Sequence, residues 1–331
     1  MHLNDNSKFG VKALTEAINR IDVVPTQIRD LAVFESKPLT TTYVDIENQS
    51  GSLKLVESRQ RGLSGEAIPH KSRDIRTFKI PHLPVDDILL ADDVQNVRAF
   101  GGTDAEAVQN KVNEKLADGK MLLEYTREHM MLGALQGKIL NANGEVVYDL
   151  YKEFGLTRQT HQFDLANTKA EVGSMIDSAL ATQKKLLKGA MVTGWVALCG
   201  LEFLQKLKYH PSIEALYTRW RDGAAYREGN ATLNPIEFAH NGINFIHYTG
   251  DFGKNAAKIA DNEAILLPVG RKLYAEYFAP ADFIETVNTR ALPYYAKQRK
   301  LDYDKGYGLH MQSNPLPIVL RPELVATLAM K

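Results

Sequence analysis

Cysteine is almost absent: Cys199 is the only one in 331 residues. A single thiol cannot close a disulfide within the chain, and without a second it cannot begin a cysteine-rich zinc site. Its setting, Trp195-Val196-Ala197-Leu198-Cys199, is apolar, so the sulfur reads as a buried, inert core group and not as a nucleophile. An excess of charge is absent too. Lys plus Arg and Asp plus Glu number 40 each, which weighs against a protein whose task is to grip nucleic acid by neutralising phosphates, though it leaves room for a local basic patch. No apolar run reaches the roughly 18 residues of a membrane-spanning helix, and Met1-His2-Leu3-Asn4-Asp5 does not read as a secretory start. The expected setting is a reducing cytoplasm, with no membrane contact.

Local enzyme signatures are missing as well. The sequence holds no Gly-x-x-x-x-Gly-Lys-Ser/Thr, no Gly-x-Gly-x-x-Gly after a strand, no Gly-x-Ser-x-Gly and no His-Glu-x-x-His; Glu128-His129 lacks the second histidine. Gly101-Gly102-Thr103 reads as a helix cap, because no phosphate-reaching lysine stands beside it. His240 and His247 have weak ligand spacing. The expectation is a chain that is not an enzyme, with no catalytic residue, cofactor or metal. Such a search does not reach a triad assembled from distant residues, so a hydrolase with a dispersed site stays open.

What the sequence does have is one long helical stretch, Thr103 to Leu140. Thr103-Asp104-Ala105-Glu106 has the form of a capping box. Val108, Val112 and Leu116 follow at four-residue steps, and Leu123, Met130 and Ala134 carry the apolar stripe onward with drift. Gly119 interrupts at a cost of about 1 kcal/mol. A helix of this extent is on the order of 50 Å long. The stripe keeps no clean heptad, and loop chemistry stops it at Asn141-Ala142-Asn143-Gly144, which favours a spine lying on a sheet over a coiled coil. Glu145 to Phe154 reads as a strand.

Ahead of the spine lie two segments that cannot build a core alone. Residues 1–50 form an N-terminal arm: a short amphipathic helix around Ala13 to Asn19, then a mixed stretch with no clear element. Residues 51–81 read as an extended loop, with strand-like runs at Leu53 to Glu57 and Ile75 to Ile80. Between Ser52 and Lys79 there are seven Lys or Arg against three acids, a net charge of +4. Two strands joined by a long charged loop are marginal in isolation, and make sense if another chain completes them; the alternative is a solvated β-hairpin. The sign then reverses: Pro84 to Val94 holds four aspartates and no base. Those pairs could ligate calcium or magnesium through oxygen, but they lack the Gly and Glu positions of an EF-hand loop. The acidic stretch reads either as a solvated face or as the complement of a neighbouring copy's basic loop, a contact that would set register. The candidate inter-subunit residues are therefore Arg59, Arg61, Lys71, Arg73 and Arg76 on one side and Asp86, Asp87, Asp92 and Asp93 on the other.

Beyond the spine, Asn167 to Leu267 reads as mixed α/β. A helix through Val172, Ile176 and Leu180 is capped by Asp164 or Asn167 and closed by Gly189. A buried strand runs from Met191 to Leu198, and a helix ends before Pro211. Arg219, Trp220, Arg221, Tyr226 and Arg227 interleave base and ring, a pattern used for single-stranded nucleic acid; in a neutral chain a loop at a subunit junction is preferred. Strand-like runs return at Leu273 to Phe278, Phe283 to Asn288, Tyr294 to Tyr303 and Leu309 to Ser313, with Ile318-Val319-Leu320 as the final strand.

Several short motifs then resemble one family. Pro268-Val269-Gly270, Tyr277-Phe278-Ala279-Pro280-Ala281-Asp282, Gln312-Ser313-Asn314-Pro315-Leu316-Pro317-Ile318, Arg321-Pro322 and Ala134-Leu135-Gln136-Gly137-Lys138-Ile139 look like the lambda-type major capsid proteins of tailed phages (major capsid protein E). Their fold is the Hong Kong 97-type capsid fold. The resemblance implies an α+β chain with an N-terminal arm (1–50), an extended β-hairpin loop (51–81) and a peripheral domain (82–166) whose spine helix, 103–140, lies on a β-sheet. A mixed α/β axial domain (167–267) and closing strands shared by both domains (268–331) complete it. The implied function is structural: copies self-assemble as hexamers and pentamers into the icosahedral virion capsid around packaged double-stranded DNA, in the host cytoplasm. Implied partners are a scaffold, a portal, a decoration protein in some members, and DNA held without sequence preference. With the chain beginning close to its arm, no large cleaved scaffold domain is expected, and no crosslink is expected at Lys71. The competing reading is a nucleic-acid-binding protein using Arg219 to Arg227 and the basic loop.

Overall fold

A computed structural model describes residues 10–22, 26–49, 73–94, 104–222 and 236–331. The chain packs as two compact units, each built from separated stretches: Met1–Val44, Lys79–Leu132 and Ala275–Ile318 form the first, and Asp45–Phe78, Gly133–Tyr274 and Val319–Lys331 the second.

In the first unit, α1 (Val11–Arg20) and α2 (Gln27–Asp30) precede strand β1 (Glu35–Pro38). Further on come β4 (Leu83–Leu90), α3 (Ala91–Val94) and the spine α4 (Asp104–Gln136), then β12 (Tyr274–Phe278), β13 (Tyr295–Lys300), β14 (Gly306–Ser313) and β15 (Pro315–Val319). The strands make two three-stranded sheets, ordered β13-β14-β4 and β1-β12-β15. The first is antiparallel throughout, with Tyr295 opposite Gln312 and Leu309 opposite Asp87; β1 runs parallel to β12. The stripe read from the sequence is the helix face that packs on this sheet: Val112, Leu116 and Leu123 meet Leu89, Leu309 and Met311, and Leu14 and Ile18 of α1 close the same cluster. The spine on a sheet is thus observed.

Gly119 has a packing reason. A Cβ there would stand 2.3 Å from the Met311 sulfur, so the missing side chain makes room for the Met311 thioether against the helix. The helix stops at Gln136 and not at residue 140, because Gly137 turns the backbone to φ +86°. Its N–H bonds the Ala134 carbonyl at 2.9 Å, and Lys138–Leu140 becomes strand β5. Thr103 and its capping box lie outside the described residues, apart from the Asp104 start.

The second unit begins with the pair β2 (Tyr43–Gln49) and β3 (Arg73–Lys79) and the hairpin of β5 with β6 (Val146–Asp149). The strand expected to continue to Phe154 gives way to helix α5 (Leu150–Phe154), because the Asp149 carboxylate accepts from the Lys152 N–H at the helix start. Next come β7 (Gln159–Phe163), α6 (Val172–Leu186), β8 (Gly194–Cys199), α7 (Leu201–Lys208), α8 (Glu214–Asp222), β9 (Phe238–His240), β10 (Ile243–His247), β11 (Glu263–Val269) and β16 (Ala326–Met330). They form a mixed six-stranded sheet ordered β7-β16-β11-β8-β10-β9. Val172, Ile176 and Leu180 of α6 and Phe203 and Leu207 of α7 cover it with an apolar core.

Four local expectations are corrected here. Neither Asp164 nor Asn167 caps α6: Glu171 stands at its N-cap without a side-chain bond, while Asn167 Oδ1 accepts from the Lys169 N–H in a turn of its own. The final strand is β16, which lies between β7 and β11, and not Ile318 to Leu320. Phe283 to Asn288 is no strand; Ile284–Thr286 is a 3-10 turn whose Thr286 hydroxyl donates to the Ala281 or Phe283 carbonyl. The loop placed around Arg219 and Arg221 is helix α8.

Candidate assembly surfaces and the spine brace

The strongest concentration of charge inside the first unit is one that sequence reading missed. Glu124, Arg127 and Glu128 of α4 are each 5% exposed or less, and helical spacing gathers them with Lys120 on one side of the spine. Arg127 grips Glu276 of β12 through two parallel bonds, Nε to Oε1 at 2.9 Å and Nη2 to Oε2 at 2.7 Å. Its Nη1 donates to the Tyr294 hydroxyl, and its plane lies over the rings of Phe278 and Tyr294, 5.1 and 5.3 Å from their centroids. Burial works against its charge, but Glu276 and Tyr294 outweigh that and hold the guanidinium pKa above its ordinary range. Burial likewise raises the Tyr294 hydroxyl, with Arg127 opposing.

The same side of the spine holds the N-terminal segment. Lys120 donates to the Ile21 carbonyl at 2.7 Å and the Asn19 carbonyl at 3.3 Å. Arg29 pairs with Glu124, and Glu128 accepts from the Ile28 N–H at 2.8 Å and from the Thr26 hydroxyl. Burial lowers the Lys120 pKa, helped by the neighbouring Arg29 and Arg127. Arg29, Glu124, Arg127 and Glu276 pair with one another, and Lys120 and Glu128 hold the N-terminal segment through its main chain and Thr26, so the group serves as a brace. The available signal was the run Lys120, Glu124, Arg127 and Glu128 interrupting the apolar stripe between Leu116 and Met130.

Of the expected inter-subunit residues, Arg59, Arg61 and Lys71 lie outside the described residues. Arg73 is the first residue of β3. Arg76 stands 3.7 Å from Glu153 of α5. Strand β3 is anchored by Phe78, which is buried edge-on against Tyr148 at 5.1 Å and beside Phe154 at 6.1 Å. Thr77 adds a hydroxyl bond to the Asp45 carboxylate.

The acidic residues fall on β4 and α3. Asp86 meets His310 Nδ1 at 2.6 Å while remaining 77% exposed, and Asp87 pairs with Lys115 of the spine at 3.0 Å. Asp93 accepts from the Leu90 N–H at 2.8 Å, and Asp92 is exposed. Two of the four aspartates therefore have basic partners within the chain.

Elsewhere, Arg219 and Arg221 lie on α8, which buries none of its residues, and Arg221 stands 3.7 Å from Asp222; Arg227 lies outside the described residues. Cys199 is fully buried, and burial pushes its thiol well above the ordinary range. Among the described residues no group of three or more His, Cys, Asp or Glu could hold a metal ion, and no helix is long and apolar enough to cross a membrane.

Known proteins are similar to this chain over most of its length. The major capsid protein of Pseudomonas phage KPP10 is 26% identical over 342 residues, covering 96% of each chain. That of Salmonella phage Felix O1 is 24% identical over 355 residues, covering 97% of this chain and 96% of its own. Among solved structures, the capsid of Ralstonia phage GP4 superposes with a TM-score of 0.52 at 11% identity, covering 90% of this chain and 88% of the other. The fold is the Hong Kong 97-type capsid fold, as the resemblance implied, and the competing nucleic-acid reading finds no support among these relatives. The model of phage major capsid protein E matches residues 10–330, so the chain belongs to that family, and its role is that of a structural capsid protein.

Proposed function

We propose that copies of this chain close, through hexamers and pentamers, into the icosahedral shell that holds packaged double-stranded phage DNA. The carrying observation is the family match from residue 10 to residue 330, with major capsid relatives aligned over nearly their whole length. A chain with no net charge suits a lining that must release its DNA, because each neutralised phosphate adds salt-dependent affinity. On this reading the chain works without catalysis or a cofactor and assembles in the host cytoplasm with a scaffold and a portal. Residues 51–81 are the extended loop, 82–166 the peripheral domain with the spine, and 167–267 most of the axial domain. Arg59, Arg61, Lys71, Arg73 and Arg76 reach toward Asp86, Asp87, Asp92 and Asp93 of a neighbour, a contact that sets register more than strength. Electron microscopy of the protein expressed with its neighbouring genes is expected to show closed shells, and a solitary monomer at high concentration would sink the proposal. Arg61→Glu and Arg73→Glu should fold normally and assemble poorly; unchanged shells from both would remove the loop from the contact.

A further inference from the structure

Sheet edges are a hazard in a protein kept at high local concentration, because an unpaired strand is a template for another chain. Among the described residues, nearly every edge of this fold is blunted. Pro38 stands on β1, Pro84 with Asp86 and Asp87 on β4, and Pro315 on β15. Lys297, Arg299 and Lys300 guard β13, the paired strands β2 and β3 are studded with charge, and β5 and β9 are only three residues long. The hairpin strand β6 ends in Asp149.

The exception is β7, at one end of the six-stranded sheet. Its five residues, Gln-Thr-His-Gln-Phe, include no proline and no Lys, Arg, Asp or Glu. Beside it runs a trough of about 420 Å³. Four consecutive residues, 160–163, line it. Side chains alternate between faces along a strand, so a cavity touching four in a row follows the strand's edge and not one of its faces. The opposite wall is α6, where Ser174 and Ser178 stand one turn apart and Glu171 is the single carboxylate. Burial lowers the His161 pKa. Behind the strand, Gln183 is wholly buried; its amide nitrogen lies 3.2 Å from His161 Nε2, and its Oε1 has no partner.

We infer that β7 accepts an extended segment of a second copy of this chain as an added strand. Main-chain bonds to the open edge would supply the grip, and the trough would seat alternate side chains. The one carboxylate favours a segment that is neutral or basic. A second copy is the occupant because the relatives are capsid proteins, so this inference rests on the self-assembly reading above.

Hydrogen exchange of the full-length protein tests it, comparing unassembled subunits with purified shells. Amides within 159–163 are expected to slow by about tenfold or more on assembly, as exposed edge amides do when they gain partners. Thr160→Lys with Gln162→Lys, both exposed in the subunit, should leave the circular dichroism and thermal midpoint unchanged and cut shell yield by about tenfold through edge charge. Shells in which β7 exchanges as fast as in the subunit would overturn the inference while leaving assembly intact, as would normal yield from the double variant. Protection that appears only when another phage protein is present would assign the edge to that protein and overturn the second-copy assignment. A wild-type chain that forms no shells would take both readings down.

Discussion

The two units solve the problem of cohesion differently. In the first, buried charges interrupt the apolar stripe of α4, and Arg127, Glu276, Glu124 and Arg29 must meet in register for any of them to be tolerated. In the second, the sheet core is almost wholly apolar, from Phe163 and Trp195 to Phe245 and Leu266. Paired charges in low dielectric add little net stability over apolar residues of the same shape, but removing one partner is severe. An apolar core loses stability in proportion to the volume removed. The first unit therefore depends on geometry and the second on area, and the first is the more brittle toward single substitutions.

Arg127→Ala should break this contrast most visibly. It leaves Glu276 buried and uncompensated, at an expected cost of about 3–5 kcal/mol, read from urea unfolding. The double variant Arg127→Met with Glu276→Gln should recover much of that loss, because no orphan charge remains; equal losses for single and double variants would mean the brace acts through volume. In the second unit, Leu266→Ala should cost about 2–5 kcal/mol, and no polar partner substitution should rescue it. Asp149→Ala removes the cap of α5 and should cost about 1 kcal/mol. The smallest effect comes from pH. Burial lowers the pKa of His129 in the first unit and His161 in the second, so the folded chain prefers both neutral and the unfolded chain binds more protons. Their contribution is full above about pH 6.5 and declines as the pH falls below it. Thermal midpoints between pH 7.5 and 5.5 should fall, and His129→Gln should flatten the slope.

Legibility in the sequence followed local determination. The spine was readable because Val108, Val112 and Leu116 recur at four-residue steps after a capping pattern and no proline breaks the stretch, and β8 because Trp195 to Cys199 is apolar on both faces. By contrast, β16 reads Ala-Thr-Leu-Ala-Met, a weak strand former, and becomes a strand because β7 and β11 flank it. Phe283 to Asn288 alternates like a strand but pairs with no strand among the described residues, and its own Thr286 closes a turn. The acidic stretch was visible as charge, yet only the fold matched Asp86 with His310 and Asp87 with Lys115, partners 224 and 28 residues away.

By itself the sequence determined the neutral balance of charge, a sum over all its residues, and the long helix, the apolar strand at Trp195 to Cys199 and the motifs that resemble phage capsid proteins, because each of these three depends on residues close together in the chain. The tertiary structure alone decided that Arg127 meets Glu276, that β16 enters the middle of a sheet and that β7 is left at its edge. Those outcomes follow from which distant segments become neighbours, and a buried charge or an unpaired edge has no meaning until its surroundings are in place.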